Sequence, residues 1–423
     1  MVTSQYKTEI EEEEIMINSG DTAWVLISAV LVLMMTIPAL AIFYGGMVRK
    51  KNILSTLAYS LGATIVASIL WVVFQYSMAF GGKEIVFGFF GGFDKLFLDS
   101  VELNAACSLY PNIPEFAFIA FQFTFAAITV ALISGAVVER IKFSAWMVFS
   151  AIWLTIVYVP VAHMVWSGNG FLAKLGVLDF AGGYVVEIAS GISGLVAAIF
   201  IGERVRYKKE AMLPSNIPLV FIGAALLWVG WFGFNAGSAF TANGAAGNAF
   251  MVTNTAGAVG ALMWLLIERF VNGKASVIGG VSGLVAGMVA ITPAAGFVDI
   301  KSSLVIGAVA GIICYLAVAK VKKVMSYDDS LDVFGIHGIG GTWGIIATGL
   351  FANPRIGGKA GLFYGNAKQL LVQFEGIIVV YSVVIIGTLV TLLIVRTFMK
   401  LRVEPQEEIY GLDLILHGER AAE

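Results

Sequence analysis

Two apolar, glycine-dense stretches of this chain each carry one ionisable side chain. The first is Val186-Glu187-Ile188-Ala189-Ser190-Gly191-Ile192-Ser193-Gly194-Leu195-Val196-Ala197. The second runs from Asp332 to Gly344 and holds His337. A charged group at the centre of a membrane helix costs about 2.5–3.5 kcal/mol, so an acid and an imidazole in such runs mark a pathway or a site. Of the three histidines (His163, His337, His417), only His337 has long apolar sequence on both sides. Laying Glu187 on His337 brings Gly191 onto Gly341, Gly194 onto Gly344 and Ala197 onto Ala347. Offsets of four and seven share one helical face. Each segment therefore presents an ionisable residue and, on the same face, small residues that let helix backbones approach closely. Matching glycines alone would mean little where glycine supplies 48 of 423 residues. A match at the offset set by two rare ionisable groups points to equivalent helices of an internal repeat, crossing with Glu187 against His337. A carboxylate near 4.3 and an imidazole near 6.5, so placed, titrate as one coupled acid–base unit.

The rest of the chain must carry that pair in a membrane. Hydrophobic residues make up 59% and charged ones 13%, and mean hydropathy is +0.89. These values exclude a soluble globular chain and predict an all-α integral membrane protein. The net charge of −2 says nothing in favour of nucleic acid. Cys107 and Cys314 lack metal-ligand spacing and read as packing residues. The first residues are acidic, Glu11 to Glu14, and read as a solvated tail; the first apolar run is long enough to span and reads as a helix rather than a signal peptide.

Runs long enough to span fall near 23–46, 54–80, 115–138, 145–165, 184–202, 216–236, 249–268, 276–293, 303–319, 331–352 and 370–396, about eleven helices. The run at 85–98 is glycine-rich and short and is expected to be a loop. With the N-terminus outside, 18 of the 26 lysines and arginines lie inside and 8 outside, which favours N-out and C-in. Glu187 falls on the fifth run and His337 on the tenth. Five spans followed by five starting from the opposite side form an inverted repeat, with a site expected near the midplane. The expected organisation is an extracellular acidic segment at 1–22, repeats at 23–203 and 216–353 joined by a cytoplasmic linker at 204–215, an eleventh helix at 370–400 and a cytoplasmic tail at 401–423. Gly279/Gly283/Gly287 and Gly307/Gly311 predict further close helix packing.

At this level of detail the chain resembles the ammonium transporters of the Amt/Mep/Rh family over nearly its whole length. The motifs that carry the resemblance are Phe43-Tyr44-Gly45-Gly46, the run from Phe121 to Phe125, Ala162-His163-Met164-Val165-Trp166, the run from Leu178 to Gly183, the run from Gly230 to Ser238, and Asp332 to Gly338. The resemblance implies eleven helices per protomer, a homotrimer in the cell membrane, and a narrow hydrophobic pore through each protomer. It implies an outer recruitment site at Phe121, Phe125, Trp166 and Ser238, a gate of Phe125 and Phe234, and support from Trp231 and Asp179. Two pore histidines are usual in the family. His337 stands at the second, and Glu187 replaces the first, as in some fungal members. The tail resembles the family's regulatory segment, which implies a PII signalling protein as a possible partner. No cofactor, metal or nucleic acid is expected.

These residue types suit passage of ammonium, or methylammonium as its analogue. Aromatic faces attract a desolvated cation by about 2 kcal/mol or more, and Ser238 can accept an N–H bond that potassium cannot donate. Neither meets the desolvation of a bare cation, so the proton is expected to leave before the nitrogen crosses. Alternatives stay open at this point. Trp166 also reads as an interfacial anchor, Phe121 and Phe125 as lipid-facing or core residues, Asp179 as a cap for the helix near Tyr184 or a residue that holds a loop, and His163 as structural. A sensor signalling through a partner and an Rh-like gas channel are the rival functions. No nucleophile–base set or cofactor loop argues for an enzyme, and Glu187 with His337 supplies too few ligands for a metal.

Overall fold

The computed structural model describes residues 17–82, 84–86 and 88–421; the acidic run at 11–14 and Lys83 lie outside these residues. The described chain is helical, with isolated bridges in place of strands. Eleven long or composite helices follow in order: α1 (Ser19–Met47), α2 (Lys50–Phe80), α3 (Glu115–Val137), α4 (143–166), α5 (Gly183–Ile201), α6 (Ile217–Gly237), α7 (Gly244–Asn272), α8 (Val277–Ile291), α9 (Ile300–Met325), α10 (334–351) and α11 (Ala367–Phe398). Among the described residues nine helices are long and apolar enough to cross a membrane. The two runs outside that set are α8, at 15 residues shorter than a bilayer requires, and α10, whose many glycines dilute its hydropathy. Residues 85–86 and 88–98 form a loop with a short turn at Leu96–Leu98.

Helix starts follow capping chemistry. The side chains of Asn18, Asn216, Asn243, Ser276 and Asp299 each accept a first-turn N–H and open α1, α6, α7, α8 and α9. Pro38 cannot donate to the helix ladder, and α1 breaks into a π-turn at Met35–Leu40. Similar π-turns open α5 at Gly183–Ile188 and α10 at Phe334–Gly338. Helices α7, α8 and α9 pack backbone to backbone: a Cβ on Gly287 would fall 2.1 Å from the Ala256 carbonyl oxygen, and one on Gly307 2.3 Å from it. Helix α3 lies at the centre, where only Phe116, Ala120 and Phe123 escape full burial.

One face is clamped by ions and by the tail. Glu139, buried in a left-handed conformation (φ 70°), receives Arg49 at 2.9 Å, Asn52 at 2.8 Å and Arg204 at 2.6 Å. Arg204 also pairs with Asp328 at 2.8 Å. Burial alone would raise the Glu139 carboxyl; Arg204 and Arg49 outweigh it and hold the group down at about 2. After α11 the chain folds back over this face as α12 (Pro405–Tyr410). Glu408 accepts from Val205 N (2.6 Å) and Arg402 (2.8 Å), Leu412 N donates to Asn52 (2.9 Å), and Asp413 accepts from Ser55 N (2.8 Å).

Candidate functional site: an aromatic cleft above an acid–imidazole pair

Helices α3, α4 and α6 and the loop before α5 converge on a cleft of about 280 Å³, lined in part by Gln122, Phe125, Trp166, Asp179, Phe180 and Ser238. Trp166 ends α4, and its indole N–H donates to the Asp179 carbonyl at 3.1 Å, which fixes the ring plane. Ser238 follows the last residue of α6, and its hydroxyl donates to the Phe234 carbonyl at 2.8 Å. With its proton so used, the Ser238 oxygen keeps lone pairs for an incoming donor. Phe125 stands edge-on to Trp166, with centroids 5.6 Å apart at 86°. Beneath, Phe125 and Phe234 lie with centroids 4.3 Å apart and planes tilted by 31°, and close the cleft floor.

The remaining expected residues take different positions. Phe121 lies one turn from Phe125 on the same helix; both are fully buried, but Phe121 is not among the cleft-lining residues. Its ring backs Phe125 at 4.8 Å and Phe240 at 5.3 Å. Asp179 borders the cleft with its carboxylate turned into the backbone. One oxygen accepts from Gly182 N (2.8 Å) and Gly183 N (2.6 Å), and the other from Tyr184 N (2.7 Å). It therefore caps α5 and orients Trp166 through its carbonyl. Burial pushes its carboxyl up to about 6, against the pull of those N–H donors. Trp231 packs beside Phe234 at 5.7 Å, with its N–H on the Thr292 hydroxyl at 2.9 Å. His163 is fully buried, and its Nδ1 bonds the Ala79 carbonyl at 2.8 Å. Gln122 also lines the cleft, and one amide between two phenylalanines in an apolar run is the sequence signal for it. Phe180 carries no such signal.

Below the two rings lies a second cavity with about 20 Å³ of space for the centre of a water-sized molecule, bordered by Phe234, Trp231, Tyr44, Val186, Glu187 and His337. That is room for one small molecule, since one water needs about 10–15 Å³ by this measure. The Tyr44 hydroxyl bonds the Leu132 carbonyl (3.2 Å) and the Trp231 N–H bonds Thr292, so both are committed elsewhere. Glu187 and His337 remain as the polar groups facing the space. His337 Nδ1 lies 2.6 Å from Glu187 Oε2, and both side chains are buried. Each sits in the π-turn of its helix, which offsets the side chain from the regular helical face. Glycine brings the two helices together. A Cβ on Gly191 would fall 2.1 Å from Gly338 N, and one on Gly341 would fall 2.6 Å from Glu187 Cβ. The contacts are reciprocal: the glycine of each helix meets the ionisable end of the other. With one proton on the pair it rests on Nδ1 and Nε2 is an acceptor; with two, Nε2 carries N–H and the second proton is shared between Glu187 and Nδ1.

A bundle of apolar helices with an aromatic cleft, two phenylalanine rings beneath it and a buried acid–imidazole pair defines a membrane transporter or channel for a small solute. The chain belongs to the Ammonium Transporter Family, whose model matches residues 23–422. It is 49% identical over 407 residues to a putative ammonium transporter of Methanothermobacter thermautotrophicus, covering 96% of this chain and 98% of that protein. It is 48% identical to an ammonium transporter of Bacillus subtilis, covering 95% and 98%. Among solved structures, Saccharomyces cerevisiae Mep2 superimposes with a TM-score of 0.86 at 37% identity, covering 92% of this chain and 88% of that one. A protein described as a sensor Amt protein superimposes with a TM-score of 0.85 at 28% identity, covering 94% and 98%.

Proposed function

We propose that the chain recruits ammonium in the aromatic cleft, that its proton is handed to water there and carried inward separately by way of the Glu187–His337 pair, and that ammonia passes through the ring gate to that pair. The observation that carries the reading is the pair of spaces separated by Phe125 and Phe234. The upper one offers π-faces and the Ser238 lone pairs, which suit a cation that donates N–H. The lower one admits a single small molecule between apolar walls, where a cation is poorly solvated and a neutral amine is tolerated. In that space the amine donates to, or accepts from, whichever of Glu187 and His337 has the free site, and the 2.6 Å contact lets the proton change sides. A separate proton relay along the pair belongs to the same reading.

The wider arrangement in this proposal is a cell-membrane protein of eleven spans, with five-helix halves in opposite orientation plus α11. The N-terminus is outside and the tail cytoplasmic. The reciprocal α5–α10 contacts and the bias of lysine and arginine support it. A homotrimer, with a PII-type protein at the tail-bearing face, completes it by family resemblance. A second reading, an ammonium sensor, draws on the likeness to the sensor Amt protein. Current recording on reconstituted protein separates the two. Ammonium and methylammonium carry current and potassium none if the transport reading holds. Saturable ammonium binding without uptake would replace it with the sensor.

A further inference from the structure

His163 and Glu84 face each other beside the cleft with no hydrogen to share. His163 lies on α4, one turn before Trp166, and is fully buried. Its Nδ1 reaches the Ala79 carbonyl, near the end of α2, at 2.8 Å. A carbonyl only accepts, so Nδ1 carries the hydrogen and, in the neutral ring, Nε2 presents a lone pair. Opposite it stands another acceptor: Nε2 is 4.0 Å from Glu84 Oε1. Both atoms are buried, and neither has a hydrogen-bond partner among the described residues. Two buried acceptors face to face are costly, and one proton corrects the arrangement. On Nε2 it turns the contact into an imidazolium–carboxylate pair.

The surroundings suit a proton better than a metal ion. Lys174, on the short helix Phe171–Leu175, lies 3.7 Å from the same Glu84 oxygen, beyond hydrogen-bond reach. Its ammonium repels a metal, and no third His, Cys, Asp or Glu side chain joins the two among the described residues. From α2, the loop after it, α4 and the short helix, Glu84 and Lys174 are the charged groups that face His163 among the described residues.

The contact sits at the root of a loop. Just past Glu84 a turn closes with Ile85 N on the Phe90 carbonyl (3.1 Å), and the Gly88 carbonyl accepts from Phe171 N (3.0 Å). Farther along, the same α2–α3 connection brings Tyr110 to the wall of the aromatic cleft, which Trp166 also lines. His163 and Glu84 therefore join the helix that ends in Trp166 to the segment that carries Tyr110.

We infer that the His163–Glu84 contact is a proton-operated latch: acid joins the root of the α2–α3 connection to α4, and alkali releases it. The inference is independent of the transport reading, since neither residue lines the cleft or the cavity beneath it.

The test uses the full-length protein in lipid nanodiscs, with isotope-labelled histidine and solid-state NMR from about pH 8 to about pH 5. That range brackets the ordinary imidazole value near 6.5. The chain has three histidines, and His163→Asn, whose amide can keep the bond to Ala79, identifies the His163 signals. The ring is expected as the Nδ1–H tautomer at the alkaline end and as imidazolium at the acid end. In Glu84→Gln the side-chain amide can donate to Nε2 at every pH, and the midpoint is expected to fall by about one pH unit or more. A nitroxide on Val86→Cys, an exposed position in the turn, reads the loop, and both native cysteines are buried. Its spectrum is expected to broaden on acidification, and to stay unchanged when Glu84→Gln is added. A His163 ring that stays neutral to the acid end would overturn the latch and leave the gap to a bridging water. So would a midpoint unmoved by Glu84→Gln, or a nitroxide spectrum insensitive to pH.

Discussion

Replacing Gly191 with alanine tests the geometry on which the site depends. The added methyl carbon would sit 2.1 Å from Gly338 N and 2.8 Å from the His337 carbonyl carbon, both backbone atoms that no rotamer change can remove. Ordinary contact begins at 3.4 Å. The crossing of α5 and α10 must therefore widen by about 1.3 Å. That carries the Glu187–His337 contact from 2.6 Å to beyond the range of a hydrogen bond. Overpacking of this kind costs about 1–3 kcal/mol of stability, and a hydrogen bond to a charged partner is worth about 1.5–3 kcal/mol. A displacement of about 1 Å between groups that must act together can cost about a hundredfold in rate. The assay is methylammonium uptake into proteoliposomes, with thermal melting in detergent alongside. Gly191→Ala should melt several degrees lower and transport at least tenfold more slowly. Gly341→Ala, whose methyl would meet Glu187 Cβ at 2.6 Å, should behave likewise. Gly247→Ala, with open space around its Cβ, should leave transport unchanged. Uptake in Gly191→Ala within twofold of wild type, at an unchanged melting temperature, would refute the claim that this close crossing sets the pair.

Three further outcomes are expected. Glu187→His substitutes an imidazole for a carboxylate in a coupled pair, so transport against pH should change shape as well as height; profiles that superimpose would remove Glu187 from proton handling. Ser238→Ala deletes an oxygen whose lone pairs face the cleft, and half-saturation for methylammonium should rise about tenfold with little change in maximal rate, read from concentration series. Glu139 is held at about 2 in the fold against an ordinary value near 4.5, so its stabilisation is fully present above pH 4.5 and is lost as pH falls toward 2. The shift amounts to about 3 kcal/mol. The melting temperature should fall over that window in wild type and respond less in Glu139→Gln, which starts lower because Arg204 and Arg49 lose their shared partner.

Composition and local pattern make the helices of this chain legible without coordinates, and the reason lies in the solvent. A bilayer requires each segment to satisfy its own backbone and present apolar side chains, so span-forming information is local. Hydropathy reports bilayer thickness and misses helix ends, which is why α7 and α9 extend past their apolar windows to Gly244–Asn272 and Ile300–Met325. The juxtaposition of Glu187 and His337 is legible for a related reason: two rare ionisable groups with the same glycine offsets leave little choice of contact. Nothing local distinguishes Phe121 from Phe125. They share a helix face and both are buried, and only packing against Phe240 and Gly237 keeps the first out of the cleft that the second lines. Whether the Asp179 carboxylate faces a cation or three backbone N–H groups depends on how the chain turns into α5. The π-turns at Gly183–Ile188 and Phe334–Gly338, the space beneath the rings and the fold-back of the tail are likewise set by helices distant in sequence meeting at fixed separations. Residue types supply the acid, the imidazole and the rings; the close approach of glycine backbones decides that they meet.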